Sequence, residues 1–269
     1  MDVLIDRREL LERARERKLT LGMIEKDYVL GWFLFGLSGV RDLTFKGGTA
    51  LSKVYFPRIW RLSEDLDFVY PGDFGNVLGN LDETFKRIEE PSGIRLALRS
   101  HHSNPDYLQL KIQYEAVLGK NWIKVDVTRE LPIDTVLERR LTRTYSDSPS
   151  FKVRVESVEE IGAEKIRSLL ERKKCRDYYD VWQLMKLKLR RDKLKRLLAR
   201  KLQYKGIKIK GPEEVFPPDL SDILEGYWDR ELGRLSYPVP ELEDVLCELK
   251  NDLKTLITPV HACVPERAP

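Results

Sequence analysis

Residues 45–68 read FKGGTALSKVYFPRIWRLSEDLDF: a strand that ends in a Gly-Gly turn, a short helix, and a second strand that carries Asp65 and Asp67. Side chains alternate along a strand, so the two aspartates point one way while Leu66 and Phe68 point into a core. Two carboxylates in one small volume repel each other unless a cation neutralises them, and hard oxygen ligands at this spacing suit Mg²⁺ better than zinc. Gly47 and Gly48 let the backbone bend tightly, and the amides that open the next helix, through Thr49, form a concavity for phosphate oxygens. Taken separately, a Gly-Gly pair is an ordinary turn and Asp-x-Asp an ordinary solvated strand end. Their succession favours a site for a nucleoside triphosphate and its metal, because the acids lie in the run Leu66-x-Phe68-Val69-Tyr70, where unpaired charge is expensive.

Outward from this stretch, the pattern is that of an α+β protein. Arg7 to Lys18 reads as an exposed amphipathic helix, and Thr20 caps a second helix with Ile24, Tyr28, Val29 and Phe33 on its core side. Strands are expected at 43–46 and 65–70, a helix at 74–88, and three alternating strands at 94–100, 107–115 and 122–129. The short links among the last three favour antiparallel pairing within a mixed sheet. In the third of them, WIKVDVT, Val125 and Val127 face the core, which leaves Asp126 on the opposite face as a candidate third carboxylate or as a plain polar-face residue.

The helical half opens at Ser157 with a capping box to Glu160. Lys165, Arg172 and Arg176 fall within one narrow sector of the helical wheel, while Ile166, Leu169 and Leu170 form the apolar side. Such a stripe either neutralises phosphates or is a solvated helix face. Asp177 could cap a helix from Tyr178 to Leu187, with Asp180 supporting its first turn. Residues 186–210 form the most basic segment; its leucines give a packing seam, and its cations could lie in water or meet RNA phosphates, with Tyr204 available for stacking. Residues 238–257 read as a last amphipathic helix and 258–269 as a frayed tail.

The stretches FKGGTALSK and RLSEDLDF, with IEKDYVLGWFL at 24–34 before them and IGAEKIRSLLERKKCRDYYDVWQL at 161–184 after them, resemble the AbiEii/AbiGii toxin family of nucleotidyltransferases, in the DNA polymerase beta-like superfamily. The resemblance runs in order from about residue 20 to 190. It implies a polymerase beta-like nucleotidyltransferase fold with a mixed sheet, followed by a C-terminal helical domain. The boundaries expected are N-terminal helices at 1–40, a catalytic domain at 41–156, a helical domain at 157–257 and the tail. It also implies a Mg²⁺-dependent toxin of a toxin–antitoxin or abortive-infection system, which moves a nucleoside monophosphate from an NTP to a macromolecular hydroxyl, RNA or tRNA being the leading acceptor. Asp65, Asp67 and Asp126 become metal ligands and catalytic residues, joined in catalysis by Lys165 and Asp177. Gly47, Gly48, Thr49, Lys53, Arg61, Ser63, Arg172 and Arg176 become nucleotide contacts. A protein acceptor, and a non-catalytic RNA-binding or scaffold role that keeps the fold, are the alternatives.

Composition agrees with a cytoplasmic enzyme. At 269 residues and 42% hydrophobic the chain can bury a substantial core. Cys175, Cys247 and Cys263 have neither disulfide-framework nor zinc spacing, which suits a reducing compartment. The charged amino terminus offers no signal peptide or membrane span, so a soluble protein without a membrane partner is expected. A net charge of only +4 argues that any RNA site is local. His101 and His102 have no third ligand nearby in sequence and read as surface residues.

Overall fold

The computed structural model describes residues 5–56 and 61–257. The chain divides into two compact units, Met1–Ser157 with Gly233–Pro238, and Val158–Leu232 with Val239–Pro269. Among the described residues no helix is long and apolar enough to cross a membrane.

The first unit is built on a seven-stranded mixed sheet in the order β3-β4-β5-β2-β1-β7-β6. The strands are β1 Thr44–Lys46, β2 Asp65–Val69, β3 Arg95–Asn104, β4 Tyr107–Ala116, β5 Gly119–Thr128, β6 Leu137–Arg140 and β7 Lys152–Val155. β3, β4 and β5 form the antiparallel meander that their short links require, whereas β2 runs parallel to β5 and antiparallel to β1. β6 and β7 are additions that the sequence pattern does not announce: β7 lies parallel to β1, and β6 pairs antiparallel with β7.

Two helices fix the core side of this sheet. α1 (Arg7–Arg17) precedes α2 (Leu21–Leu37), whose N-cap Thr20 accepts a hydrogen bond from the Met23 amide. α2 buries Ile24, Tyr28, Val29 and Phe33, as its periodicity requires. It also buries Glu25, Lys26 and Asp27, which the apolar pattern does not foresee. A Cβ on Gly36 would stand 2.6 Å from Ile88 of α5 (Leu81–Ser92), so glycine is needed for the close approach of those helices. The expected single helix at 74–88 is broken at Asn80, giving α4 (Phe74–Gly79) and α5. Ile112 and Tyr114 of β4 and Ile123, Val125 and Val127 of β5 are buried on the core side.

The second unit is helical: α6 (Val158–Glu171), α7 (Cys175–Met185), α8 (Arg191–Tyr204), α9 (Leu220–Leu232) and α10 (Leu242–Leu253). α7 begins three residues earlier than the Asp177 cap would place it. Lys174 is the N-cap, and Asp177 sits inside the first turn, where its charge complements the helix dipole. The expected helix at 238–257 is shorter, ending at Leu253; the tail at 258–269 lies outside the described residues.

The basic segment uses Leu194, Leu197, Leu198 and Leu202 of α8 as its buried seam. Several of its cations are engaged inside this unit. Arg190 and Lys193 reach Glu159, Arg191 reaches Asp252, and Lys201 is wholly buried between Glu160 at 3.0 Å and Glu164 at 2.8 Å. A buried carboxylate that loses its cation keeps the cost of desolvation without the attraction. Lys201→Ala is therefore expected to lower unfolding free energy by about 3–5 kcal/mol, read from urea denaturation at pH 7. A loss below about 1 kcal/mol would mean that α6 and α8 do not depend on this ion pair.

Candidate active site

The parallel pairing of β2 and β5 sets Asp65 beside Lys124 and Asp67 beside Asp126. Since Leu66 and Phe68, like Val125 and Val127, are buried, all four polar side chains stand on the other face of the sheet. Lys124 Nζ lies 2.9 Å from Asp126 Oδ2 and 3.7 Å from Asp65 Oδ2, so one ammonium bridges carboxylates from two strands. The second Asp126 oxygen is claimed by β4: Tyr107 Oη donates to Oδ1 at 2.6 Å and Gln109 Nε2 at 3.0 Å. Asp126 is thereby fixed in orientation. No local signal in the sequence identifies Lys124, Tyr107 or Gln109, because their roles come from strand register.

The electrostatics follow from this packing. Burial raises the Asp65 pKa, Lys124 and Lys26 pull it back, and Asp126 and Glu64 add to the rise. Burial works against the Lys124 ammonium, but its hydrogen bond to Asp126 and the charges of Asp65 and Asp126 outweigh that cost and raise its pKa. Burial and the bond to Asp126 push the Tyr107 hydroxyl up to about 12, so it remains a donor at neutral pH.

The Gly-Gly turn abuts the same acids. Gly47 has φ +77°, and a Cβ there would lie 2.3 Å from Asp67 Oδ2, so glycine is required by both backbone and neighbour. α3 (Gly47–Ala50) starts at this point and continues through a π-helical turn, Leu51–Tyr55. Thr49 Oγ1 donates to the Asp65 carbonyl, tying the helix start to β2. The amides of a first helical turn have no intrahelical acceptor and suit an anion.

The all-oxygen donor set of Asp65, Asp67 and Asp126 has the hard chemistry that Mg²⁺ takes, and Lys124 supplies positive charge among these acids. Among the described residues no three Asp, Glu, His or Cys side chains are gathered as a preformed metal-holding group. A divalent ion would have to draw the carboxylates together.

The other expected site residues divide. Lys53 is buried, with Nζ 2.9 Å from Asp27 Oδ1 and 3.0 Å from the Asp27 carbonyl. Tyr145 Oη donates to the other Asp27 oxygen at 3.0 Å. Lys53 is thus built into an internal ion pair with α2, a partner that its sequence neighbourhood does not reveal. Arg61 is buried and donates to the Leu62 carbonyl at 2.9 Å, and Ser63 is half-buried.

Lys165, Arg172, Arg176 and Asp177 belong to the second unit. There Lys165 Nζ lies 3.1 Å from Asp177 Oδ1 and 2.7 Å from Asp180 Oδ2, and Arg172 Nε lies 2.8 Å from Asp177 Oδ2. Arg176 is half-buried on the first turn of α7. Burial would raise the Asp177 pKa, but Lys165 and Arg172 more than reverse it, holding the carboxyl below its usual range.

A family model described as nucleotidyl transferase AbiEii toxin, type IV TA system, matches residues 32–251. Among solved structures the chain is similar to MenT4, a nucleotidyltransferase toxin from Mycobacterium tuberculosis H37Rv. The TM-score is 0.71 at 20% identity, over 94% of this chain and 89% of that one. It is also similar to JHP933 from Helicobacter pylori, with TM-score 0.59 at 18% identity, over 88% of this chain and 93% of that one. At these identities the likeness establishes the fold. No curated protein matches the chain.

Two outcomes follow from the geometry. Gly47→Ala forces a side chain onto Asp67 in a left-handed backbone, a conformation that costs about 1–2 kcal/mol, so the thermal midpoint should fall by about 2–8 °C in calorimetry. An unchanged midpoint would mean that the turn relaxes freely. Because the folded pKa of Asp177 is depressed, its stabilisation is fully present above the unfolded value of about 3.9 and lost as pH falls through the lower folded value. Asp177→Asn should therefore cost about 3 kcal/mol at pH 7 and progressively less below pH 4, measured by urea denaturation across pH. A pH-independent difference would remove the charge from the explanation.

Proposed function

The chain belongs to the AbiEii nucleotidyl transferase toxin family of the type IV toxin–antitoxin system, and on that footing we propose that a hydroxyl of RNA, with tRNA the leading acceptor, attacks the α-phosphate of an NTP, so that the nucleoside monophosphate is transferred and pyrophosphate leaves. The observation that carries this reading is the register of β2 on β5, which sets Asp126 beside Asp67 on the sheet face where Gly47 abuts Asp67. Asp65 and Asp67 would hold Mg²⁺ with the help of Asp126. The ion, when bound, would neutralise charge on the triphosphate. Amides at Gly48 and Thr49 receive phosphate oxygens. Asp126, oriented by Tyr107 and Gln109, accepts the proton of the attacking hydroxyl, while Lys124 retains one of its oxygens or moves to the developing charge. Catalysis on this reading is positioning and charge neutralisation.

The roles implied by resemblance for the remaining residues belong to the same proposal. Lys165 is the catalytic cation, Asp177 holds it and Arg172 in place, and Arg176, Arg61 and Ser63 are further nucleotide contacts. For Lys53 the ion pair with Asp27 supports a different part, that of bracing α2 against the helix after the Gly-Gly turn. The toxin–antitoxin system of the family implies an antitoxin as partner.

The test incubates purified protein with each α-labelled NTP, Mg²⁺ and either total RNA or total protein. Label on RNA, lost about a hundredfold or more in Asp67→Asn, is the expected result. Label on protein would move the acceptor to the alternative class, and transfer by Asp67→Asn at the parent rate would sink the mechanism. Lys165→Ala should lower turnover at saturating RNA; a change confined to the acceptor KM would take Lys165 out of the chemistry.

A further inference from the structure

The sheet face that carries the acids does not end with them. On the same face of β5, two residues before Lys124, stands Trp122, whose side chain is 44% exposed. Two ammonium groups lie against its indole: Lys26 Nζ at 4.9 Å and Lys111 Nζ at 4.8 Å from the ring centroid. Lys111 belongs to β4, directly beside Lys124 in register, and is itself exposed. Farther along the meander, β3 is exposed through nearly its whole length and adds Arg95 and Arg99; Arg99 donates to Gln113, the residue paired with Trp122. Glu115 faces Arg95 at 3.3 Å and Glu64 faces Lys26 at 3.7 Å, so of the two ammonium groups at the indole Lys26 is buried and paired, and Lys111 is the exposed one.

An exposed indole on a strand, with the ammonium of the exposed Lys111 over its ring, offers an apolar platform on which a base can take the place of that flexible side chain while the ammonium moves to a phosphate. A nucleic acid strand presents the complement, a base with a π face joined to phosphates on both sides. A folded protein partner would cover the ring with apolar side chains and leave Lys111 without a matching anion, whereas Lys26 and Lys124 are already held by Glu64 and by Asp126 and Asp65. Resting on the reading of Asp65, Asp67 and Asp126 as the reaction centre, we propose that the outer face of β3, β4 and β5 binds a single-stranded segment of the acceptor RNA, one base stacked on Trp122 and a neighbouring phosphate on Lys111. Trp122 is two residues from Lys124, so the stacked base lies next to the strand that carries Asp126. Trp122 is then a positioning residue for the acceptor. The basic helix α8, many of whose cations are paired with carboxylates of its own unit, is not the main phosphate track.

The test is fluorescence anisotropy of a labelled single-stranded 12-nucleotide RNA without NTP or metal, at several salt concentrations, on the full chain. Trp122→Ala should weaken binding about fivefold or more, Trp122→Phe should restore most of it, and Lys111→Ala should flatten the salt dependence. Melting curves of each variant guard against unfolding, and if Trp122→Ala does not fold Lys111→Ala carries the test, an unchanged salt dependence overturning the proposal. Equal binding by parent, Trp122→Ala and Trp122→Phe overturns the proposal. So does loss of binding only when Arg190, Arg191, Lys195 and Arg196 are neutralised together. Binding of polyglutamate as tight as that of RNA, and indifferent to Trp122, would mark a charged surface for acidic protein and overturn it likewise. The reaction-centre reading stands or falls separately: Asp67→Asn should bind this RNA like the parent and yet transfer nothing.

Discussion

Three carboxylates on one face of two adjacent strands repel one another, and the first unit is arranged so that they nevertheless coexist. Lys124 bridges Asp126 and Asp65, Tyr107 and Gln109 take the free oxygen of Asp126, and Gly47 leaves room for Asp67. Each compensation depends on the sheet order. β5 must lie parallel to β2 for Asp126 to stand beside Asp67, and β4 must follow as an antiparallel neighbour for Tyr107 to reach it. A face that concentrates negative charge against fixed donors favours the arrival of a cation, whether a lysine or a metal.

The local part of this was legible in the sequence. The Gly-Gly turn, the alternation of Asp65 and Asp67 and the inward valines around Asp126 are short-range patterns, and the structure places those side chains on one sheet face as alternation requires. What could not be read was register. Nothing near Lys124 says that a parallel neighbour will bring Asp65 to it, and nothing near Lys53 says that Asp27, inside an apolar helix, will bury its charge. β6 and β7 are not announced because LERR has no alternation and KVRV, which alternates, is only four residues long. The start of α7 is not legible locally, because an acidic residue such as Asp177 serves equally as a cap or within the first turn, and only Lys174 in extended backbone decides between them.

In the second unit buried charge is used differently. Lys201 with Glu160 and Glu164, and Lys165 with Asp177 and Asp180, place ion pairs where a leucine seam alone could have packed α6 on its neighbours. Such pairs gain little over apolar packing, but they penalise any register that separates them. In the basic segment this also places cations against acids of the same unit: Arg190 and Lys193 on Glu159, and Arg191 on Asp252.

The central claim is that Asp65, Asp67 and Asp126 form a divalent-cation site. The direct measurement is titration of the protein with Mn²⁺ as a Mg²⁺ surrogate, the free ion followed by its electron paramagnetic resonance signal in the absence of nucleotide and RNA. Saturable binding by the parent that is lost in Asp65→Asn and Asp67→Asn, and tightened when Lys124→Met removes the competing ammonium, is the predicted result. Mn²⁺ binding that is the same in the parent and in all three variants would contradict it.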